Sequence, residues 1–197
     1  ALQPDVVLTR TAEAQQPIKD LAVTPPLRVL AMAAQPSDLA ALDLERERRH
    51  LAHSLARLGD GVELHWVDGQ SWRALHDALQ RGEWHVFHFL GHGLFDRTEG
   101  AGALAFAGDG GQAELHSAEE LSLLLGDHDT LRLVVLNACE GAQGGGSQMD
   151  AGIAQQLVRA GVPAVVAMQA PIAEAHAAEL TRSFYGLAAV AATAVFM

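Results

Sequence analysis

Apolar and polar positions along the chain form short blocks that predict strands and helices in alternation. Residues 27–32 are nearly all apolar, as in a strand covered on both faces. From the Pro-Ser-Asp at 36–38 to Gly59, leucines recur at helical spacing, which predicts an amphipathic helix with its charged residues 45–49 in water. From residue 27 the pattern therefore predicts a strand followed by a helix.

The same patterns continue to the end of the chain. A helix capped by Ser71 is predicted, and Ser117 with Glu120 has the spacing of a capping box ahead of another helix. A β-hairpin is predicted at 103–106 and 112–115, around a glycine-rich turn. The remaining predicted elements are strands at 62–67, 84–90, 131–136 and 164–168, a helix from Asp150, and a helix over 173–190.

Five apolar strands alternating with helices predict an α/β fold with a mainly parallel sheet between two helical layers. The expected strand order is 2-1-3-4-5, with the hairpin inserted between strands 3 and 4. Ligands of such sheets bind outside the carboxyl ends of the strands. The proline-rich residues 1–26 are expected to be a linker or the remnant of an upstream region, and 27–197 the domain. The start at Ala1 suggests a fragment, although a processed Met leaves the same start.

Composition narrows the function classes. The chain has 197 residues, 49% of them hydrophobic and 19% charged, which fits one globular domain. A net charge of −11 argues against a direct nucleic-acid partner, and apolar runs are too short to predict a membrane span. With Cys139 as the only cysteine and no signal-peptide pattern, we expect a cytoplasmic protein.

The candidate chemistry lies at two neighbouring strand ends. The third strand leads into Gly91-His92-Gly93, and the fourth leads into a segment that contains Cys139. Since these strands should be neighbours, His92 and Cys139 are expected to meet at one rim. An imidazole within reach of a thiol can generate the thiolate and then protonate a leaving amine. The backbone amides of Gly93 and Cys139 would form an oxyanion hole.

Other classes of site fit the sequence less well. The Gly-His-Gly segment lacks the third glycine of a dinucleotide fingerprint, and the chain has neither a phosphate loop nor a serine nucleophile elbow. His88, His92 and Cys139 lack a fourth ligand for structural zinc, so no metal or cofactor is expected. His88 is interpreted as a buried structural histidine. Other histidines are assigned to the surface or rim, namely His50, His53, His65, His85 and His116.

A strand ending in His92-Gly93, followed about 50 residues later by one ending in Ala-Cys-x-Gly, resembles the caspase-type cysteine peptidases. The local amino-acid sequence is similar to that of the CHAT domain, a caspase-like group in the clan of caspases, separase and gingipain. The similar segments lie at 84–93, 133–141, 160–168 and 184–185, and the resemblance spans roughly residues 27–190.

The resemblance implies a three-layer caspase-like fold and a cysteine endopeptidase, with His92 as general base and Cys139 as nucleophile. It further implies a protein substrate, a regulatory domain or partner such as a repeat or effector module, and a bacterial signalling or defence role. The alternative is a caspase-like scaffold module with an idle dyad. Such domains usually continue to a last helix and strand, so we expect the C-terminal part to be incomplete. The glycine-rich segment 143–148 is expected to become ordered only with a partner or substrate.

The pocket for the substrate residue on the acyl side of the cut is assigned to Asn137, Glu140 and Asp96. Asn137 should project on the same side of its strand as Cys139. Because no clear pair of basic residues lies near the dyad, an acidic substrate side chain would enter without a partner. We expect a basic or a medium-sized neutral residue there, and aspartate to be rejected. Whether Glu140 lines the pocket or faces water stays open.

Overall fold

A computed structural model of the chain describes residues 23–96, 101–138 and 146–167. The predicted linker up to residue 22, the segment with Cys139 and Glu140, and the predicted helix over 173–190 lie outside these ranges. The strands are β1 (Leu27–Ala33), β2 (Val62–Trp66), β3 (Val86–Asp96), β4 (Ala101–Ala107), β5 (Ala113–Ser117), β6 (Leu133–Ala138) and β7 (Ala164–Ala167). The α-helices are α1 (Leu44–Ala56), α2 (Trp72–Gln80), α3 (Ala118–Gly126) and α4 (Gly146–Arg159), with a 3-10 turn at Gly59–Gly61.

The parallel part of the sheet runs in the order β2-β1-β3-β6-β7. Counted without the hairpin strands, this is the predicted order 2-1-3-4-5. The hairpin β4–β5 lies between the third and fourth of these strands in sequence, as predicted, and it joins the same sheet. The α/β fold with a mainly parallel sheet is therefore confirmed.

Helices cover the two faces of the sheet within the described residues. On one face α1 contributes Leu51 and Leu55 to an apolar cluster with β1, β2, β3 and β6. The opposite face carries a larger apolar cluster, to which α2, α3 and α4 contribute. Val23, at the end of the predicted linker, is buried in the α1 cluster. The sheet is thus the middle layer of three.

Strand β3 is longer than predicted, and this changes the setting of His92. Residues 84–90 were expected to be the strand and Gly91-His92-Gly93 a loop, but β3 continues to Asp96. The hairpin explains the difference, since β4 pairs antiparallel with the second half of β3 and places His92 opposite Ala105. His92 therefore lies on a paired strand.

The first helix begins later than its sequence suggests. Helix α1 starts at Leu44, where the Asp43 side chain accepts a hydrogen bond from the Arg46 amide, and not at 36–38. The polar residues at 36–38 bind the hairpin turn instead: the Ser37 amide donates to the Gly111 carbonyl at 2.8 Å. The Asp38 carboxylate accepts from the Ala113 amide at 2.7 Å. The segment 34–43 is therefore a loop fastened to the hairpin.

Four smaller predictions have mixed outcomes. The Ser71 cap and the Ser117–Glu120 capping box are both present. Helix α4 starts at Gly146, four residues before the predicted start, so that residues 146–148 are helical. His116, assigned to the surface or rim, is buried and stacked on Trp72, with ring centroids 4.1 Å apart. Within the described part of the chain, no helix is both long and apolar enough to cross a membrane.

Candidate active site

The register between β3 and β6 places the strand of His92 beside the strand that leads to Cys139 in the sequence. Leu90 pairs with Asn137 and Gly91 with Ala138, in parallel, so the next position of β3 is His92. Cys139 follows Ala138 in the sequence and lies outside the described residues. Strands β3 and β6 are thus direct neighbours. Their last paired residues, Gly91 and Ala138, immediately precede His92 and Cys139 in the sequence.

His92 and Asn137 lie on the face of the sheet that α1 covers. Side chains alternate between faces along a strand, and Val86 of β3 and Val135 of β6 both belong to the cluster under α1. Even-numbered positions of β3 and odd-numbered positions of β6 therefore share this face. The contacts of His92 and Asn137, described next, agree with that assignment.

The His92 ring is buried, with 3% of the residue exposed, and it contacts the loop before α1. Its Nε2 lies 2.9 Å from the carbonyl oxygen of Ala40. A carbonyl oxygen can only accept, so Nε2 must carry the proton in this hydrogen bond. In the neutral ring Nδ1 then has the free lone pair. This arrangement selects one tautomer, with Nδ1 as the basic atom.

The Ala40 carbonyl is itself held by Gln35. The Gln35 side-chain amide donates to the Ala40 oxygen at 3.1 Å, and its oxygen accepts from the Leu42 amide at 2.8 Å. The Gln35 backbone amide donates to the Gln70 side chain at 2.7 Å. The Gln35 side chain thus bonds to the backbone at Ala40 and Leu42, on both sides of the peptide segment whose carbonyl contacts His92. Sequence reasoning missed Gln35, because only the folded loop brings residues 35 and 40 together.

Gly91 has a structural requirement of its own. A Cβ at this position would lie 2.8 Å from the Phe89 ring and 3.0 Å from the Ala34 carbonyl oxygen. The chain at Ala34 approaches this closely because its amide donates to the Leu90 carbonyl at 2.9 Å. Gly91 therefore lets the loop after β1 lie against β3, immediately before His92.

Gly93, predicted to supply an oxyanion-hole amide, lies in β3 opposite Leu104 of β4. It is one residue beyond His92, at the point where β3 has left its parallel neighbours and pairs with the hairpin. Its amide is therefore on the same strand as the base, close to the rim where β6 ends.

Asn137, predicted to line the substrate pocket, contacts a residue that sequence reasoning had assigned to water. Its side-chain nitrogen donates to the Glu47 carboxylate of α1 at 3.4 Å. Glu47 is half-buried, whereas the prediction placed the whole of 45–49 on the solvated face. The spacing carried a signal for this contact, because Glu47 precedes the buried Leu51 and Leu55 by four and eight residues.

Of the other two predicted pocket residues, Asp96 lies in the described part of the chain through its backbone alone, and Glu140 lies outside it. Asp96 ends β3, four residues beyond His92, which is about 13 Å along a strand. Asn137 pairs with Leu90, on the other side of His92. Glu140 lies outside the described residues, as does the side chain of Asp96. Glu47 is therefore the carboxylate that the described structure places beside Asn137.

His88, interpreted as structural, is buried in the sheet. Burial lowers the pKa of its imidazole from 6.5 to about 4, because the apolar surroundings disfavour the charged ring. The ring is thus neutral at pH 7. His88 and His92 share a face of β3 but have different surroundings, and the carbonyl contact at the rim is made by His92.

The family of the chain follows from its sequence as a whole. Residues 3–193 match the family described as CHAT domain. The chain belongs to this family. CHAT domains are a caspase-like, protease-related family, and the mainly parallel sheet with flanking helices is consistent with that fold. A comparison with the curated proteins found no match.

Proposed function

We propose that this CHAT domain is a cysteine endopeptidase that cleaves a protein substrate with a His92–Cys139 dyad. The observation that carries the proposal is the parallel register of β3 and β6, in which Gly91 pairs with Ala138. Neighbouring strands are about 4.8 Å apart and consecutive Cα atoms about 3.8 Å. Because Cys139 follows Ala138 by a single peptide bond, this register supports the proposed pairing of Cys139 with His92.

The tautomer of His92 supports the role of general base. Because Nε2 donates to Ala40, the lone pair of Nδ1 is available for the thiol proton. In the proposed reaction Nδ1 takes this proton, and the Cys139 sulfur forms a bond to the carbonyl carbon of the substrate. His92 then returns the proton to the amine nitrogen as the C–N bond breaks. His92 then takes a proton from water as the water oxygen bonds to the thioester carbon, and it returns this proton to the Cys139 sulfur as the C–S bond breaks.

The charge that develops on the substrate oxygen needs donors. We assign this role to the backbone amides of Gly93 and Cys139. Gly93 comes two residues after Gly91, and Cys139 comes one residue after Ala138, the partner of Gly91 in the sheet. The Gly93 residue lies on a strand that pairs with the hairpin, and an amide fixed in advance loses little freedom in the reaction, which makes it an effective donor to an oxyanion. The hairpin that pairs with Gly93 would thereby contribute to catalysis.

The setting of the reaction is proposed from the sequence. A single cysteine and a net charge of −11 suit a cytoplasmic protease that acts on protein rather than on nucleic acid. A regulatory domain or partner, such as a repeat or effector module, would control it in bacterial signalling or defence. No resident metal or cofactor enters the proposed reaction.

A peptide library and an electrophilic peptide probe test the dyad. The unmodified protein is expected to cleave peptides and to be labelled at Cys139, whereas Cys139→Ala should lose both properties. His92→Ala should lower kcat/KM by about 10³-fold, because the thiol loses its base. Cleavage that survives in Cys139→Ala would refute the proposal. Absence of both cleavage and labelling, with any candidate partner added, would favour the scaffold module instead.

A further inference from the structure

Helix α1 carries an apolar stripe toward the sheet, and this stripe ends in a carboxylate at the rim. Leu55, Leu51 and Glu47 are spaced by four residues, so they lie on one side of the helix. The two leucines are buried against the sheet, and one turn further toward the helix start Glu47 is half-buried. A glutamate thus occupies a sheet-facing position at which the pattern of the helix would place an apolar residue.

Glu47 lies where a substrate of the proposed peptidase would bind. It accepts a hydrogen bond from Asn137, which pairs with Leu90, two residues before His92. Asn137, Glu47 and His92 all lie on the α1 face of the sheet, at the carboxyl end of β6 and beside the point where β3 leaves its parallel neighbours. This is the rim where parallel sheets of this type bind ligands.

Two arginines of α1, Arg48 and Arg49, have contacts away from this carboxylate. The Arg48 guanidinium lies 4.3 Å from the ring centre of Trp66 on β2, and β2 is three strands from β6, or about 14 Å. Arg49 is exposed, and its Nε donates to the Glu45 carbonyl of its own helix. These two guanidinium groups therefore contact Trp66 and the backbone of α1.

We propose that Glu47, together with Asn137, selects a basic side chain, arginine or lysine, on the acyl side of the scissile bond. The inference rests on the proposed peptidase function and narrows its substrate class. A half-buried carboxylate pairs with a guanidinium or ammonium group through charge-assisted hydrogen bonds. It repels an aspartate, whose charge would lose its water without gaining a partner. The Asn137 amide would then orient the Glu47 carboxylate.

The test uses matched peptides that differ in one residue, which is arginine, its neutral isostere citrulline, or aspartate. The unmodified protein should prefer arginine to citrulline by about tenfold or more in kcat/KM and reject aspartate. Glu47→Gln should abolish the preference, by lowering kcat/KM for the arginine peptide about tenfold relative to the citrulline peptide. An arginine preference that is unchanged in Glu47→Gln, or a preference for aspartate, would overturn the inference.

Glu45→Gln is the matched control. Glu45 and Glu47 are the two acidic residues in the first turn of α1, so each substitution removes the same charge from the same end of the helix. Glu45 is exposed and lies two positions, or about 200°, around the helix from Glu47. Glu45→Gln should therefore keep the arginine preference. An equal loss in both variants would refute a specific contact and indicate a general charge effect.

A binding measurement separates this inference from the proposed catalysis. In the Cys139→Ala protein the three peptides are titrated without turnover, by fluorescence anisotropy, with and without Glu47→Gln. Tighter binding of the arginine peptide that depends on Glu47 supports the pocket even if no peptide is ever cleaved. Equal binding of the arginine and citrulline peptides overturns the pocket even if cleavage by Cys139 is established.

Discussion

The carbonyl oxygen of Ala40 and Nε2 of His92 are 2.9 Å apart, although 52 residues separate them in the sequence. This hydrogen bond joins the loop before α1 to the strand β3, and it leaves Nδ1 as the basic atom of the ring. The loop is held in turn by Gln35 from within and by the hairpin turn from outside. The orientation of the proposed base therefore depends on a segment that is remote in sequence.

Substitution of Gln35 should disturb the tautomer of His92. In Gln35→Ala the Ala40 carbonyl loses its 3.1 Å donor and the Leu42 amide loses its 2.8 Å acceptor, so the loop no longer fixes the carbonyl opposite Nε2. We expect kcat to fall about tenfold, with KM little changed, because the base is misplaced and binding groups are untouched. Nitrogen NMR of the His92 ring should change from a single Nε2-protonated form to a mixture of tautomers.

Gln80→Ala serves as the control for this prediction. Gln80 is an exposed glutamine of α2, and its side chain contacts His76 on the same helix. It should leave the His92 ring spectrum and kcat unchanged. If Gln35→Ala lowers kcat but preserves the single tautomer, Gln35 has a merely structural role and the positioning argument fails.

Gly91→Ala should destabilise the domain. The new methyl group would lie 2.8 Å from the Phe89 ring and 3.0 Å from the Ala34 oxygen, and a buried β-sheet has little room to relax. Overpacking of this kind costs about 1–3 kcal/mol in the free energy of unfolding, measured by urea denaturation. Gly152→Ala is the contrasting variant, because nothing lies within 4 Å of its added Cβ and the residue is helical. That variant should gain about 0.5–1 kcal/mol, and a loss in both would contradict the steric argument.

Removal of the Asp38 carboxylate should loosen the tie between the loop and the hairpin. The Asp38 side chain accepts from the Ala113 amide at 2.7 Å, in an exposed position. Asp38→Ala should lower the free energy of unfolding by about 1 kcal/mol and speed hydrogen exchange at the Ala113 amide. Asp38→Asn keeps an acceptor oxygen and should restore most of the protection. Unchanged exchange in Asp38→Ala would show that the contact does not hold the loop.

The order of the sheet could be predicted from the sequence because each parallel strand is a short apolar block bounded by polar or glycine residues. The extent of β3 could not, since Gly91 and Gly93 read locally as a loop. Only the tertiary pairing of His92 with Ala105 makes that segment a strand. The predicted start of α1 was wrong for a related reason. Ser37 and Asp38, which could have capped a helix, form hydrogen bonds with the hairpin turn instead.

Within the candidate site, the sequence points to His92 because it follows the apolar block 84–90 between two glycines, and to Asn137 because of its spacing to Cys139. The roles of both residues stay predictions. Glu47 was missed because an acidic residue among the arginines of 46–49 suggests a solvated face, although its spacing to Leu51 indicated the sheet side. Ala40 and Gln35 act through a backbone carbonyl and a loop conformation. The residue types at 35 and 40 do not indicate which backbone carbonyl faces His92 or which conformation the loop adopts. Only the folded structure shows these two features.

Acid should destabilise the domain through His88. Burial lowers its pKa from 6.5 to about 4 in the folded state, so between these values the unfolded chain binds a proton that the folded chain does not. By linkage the contribution of His88 to the free energy of unfolding is fully present above pH 6.5 and is lost as the pH drops toward 4, by about 2 kcal/mol at pH 5. Urea denaturation at pH 7.5 and pH 5 measures the loss, which His88→Gln should reduce by that amount. His53→Gln, at an exposed position of α1, should keep the full loss. An identical pH dependence in His88→Gln and the unmodified protein would rule out His88 as the source.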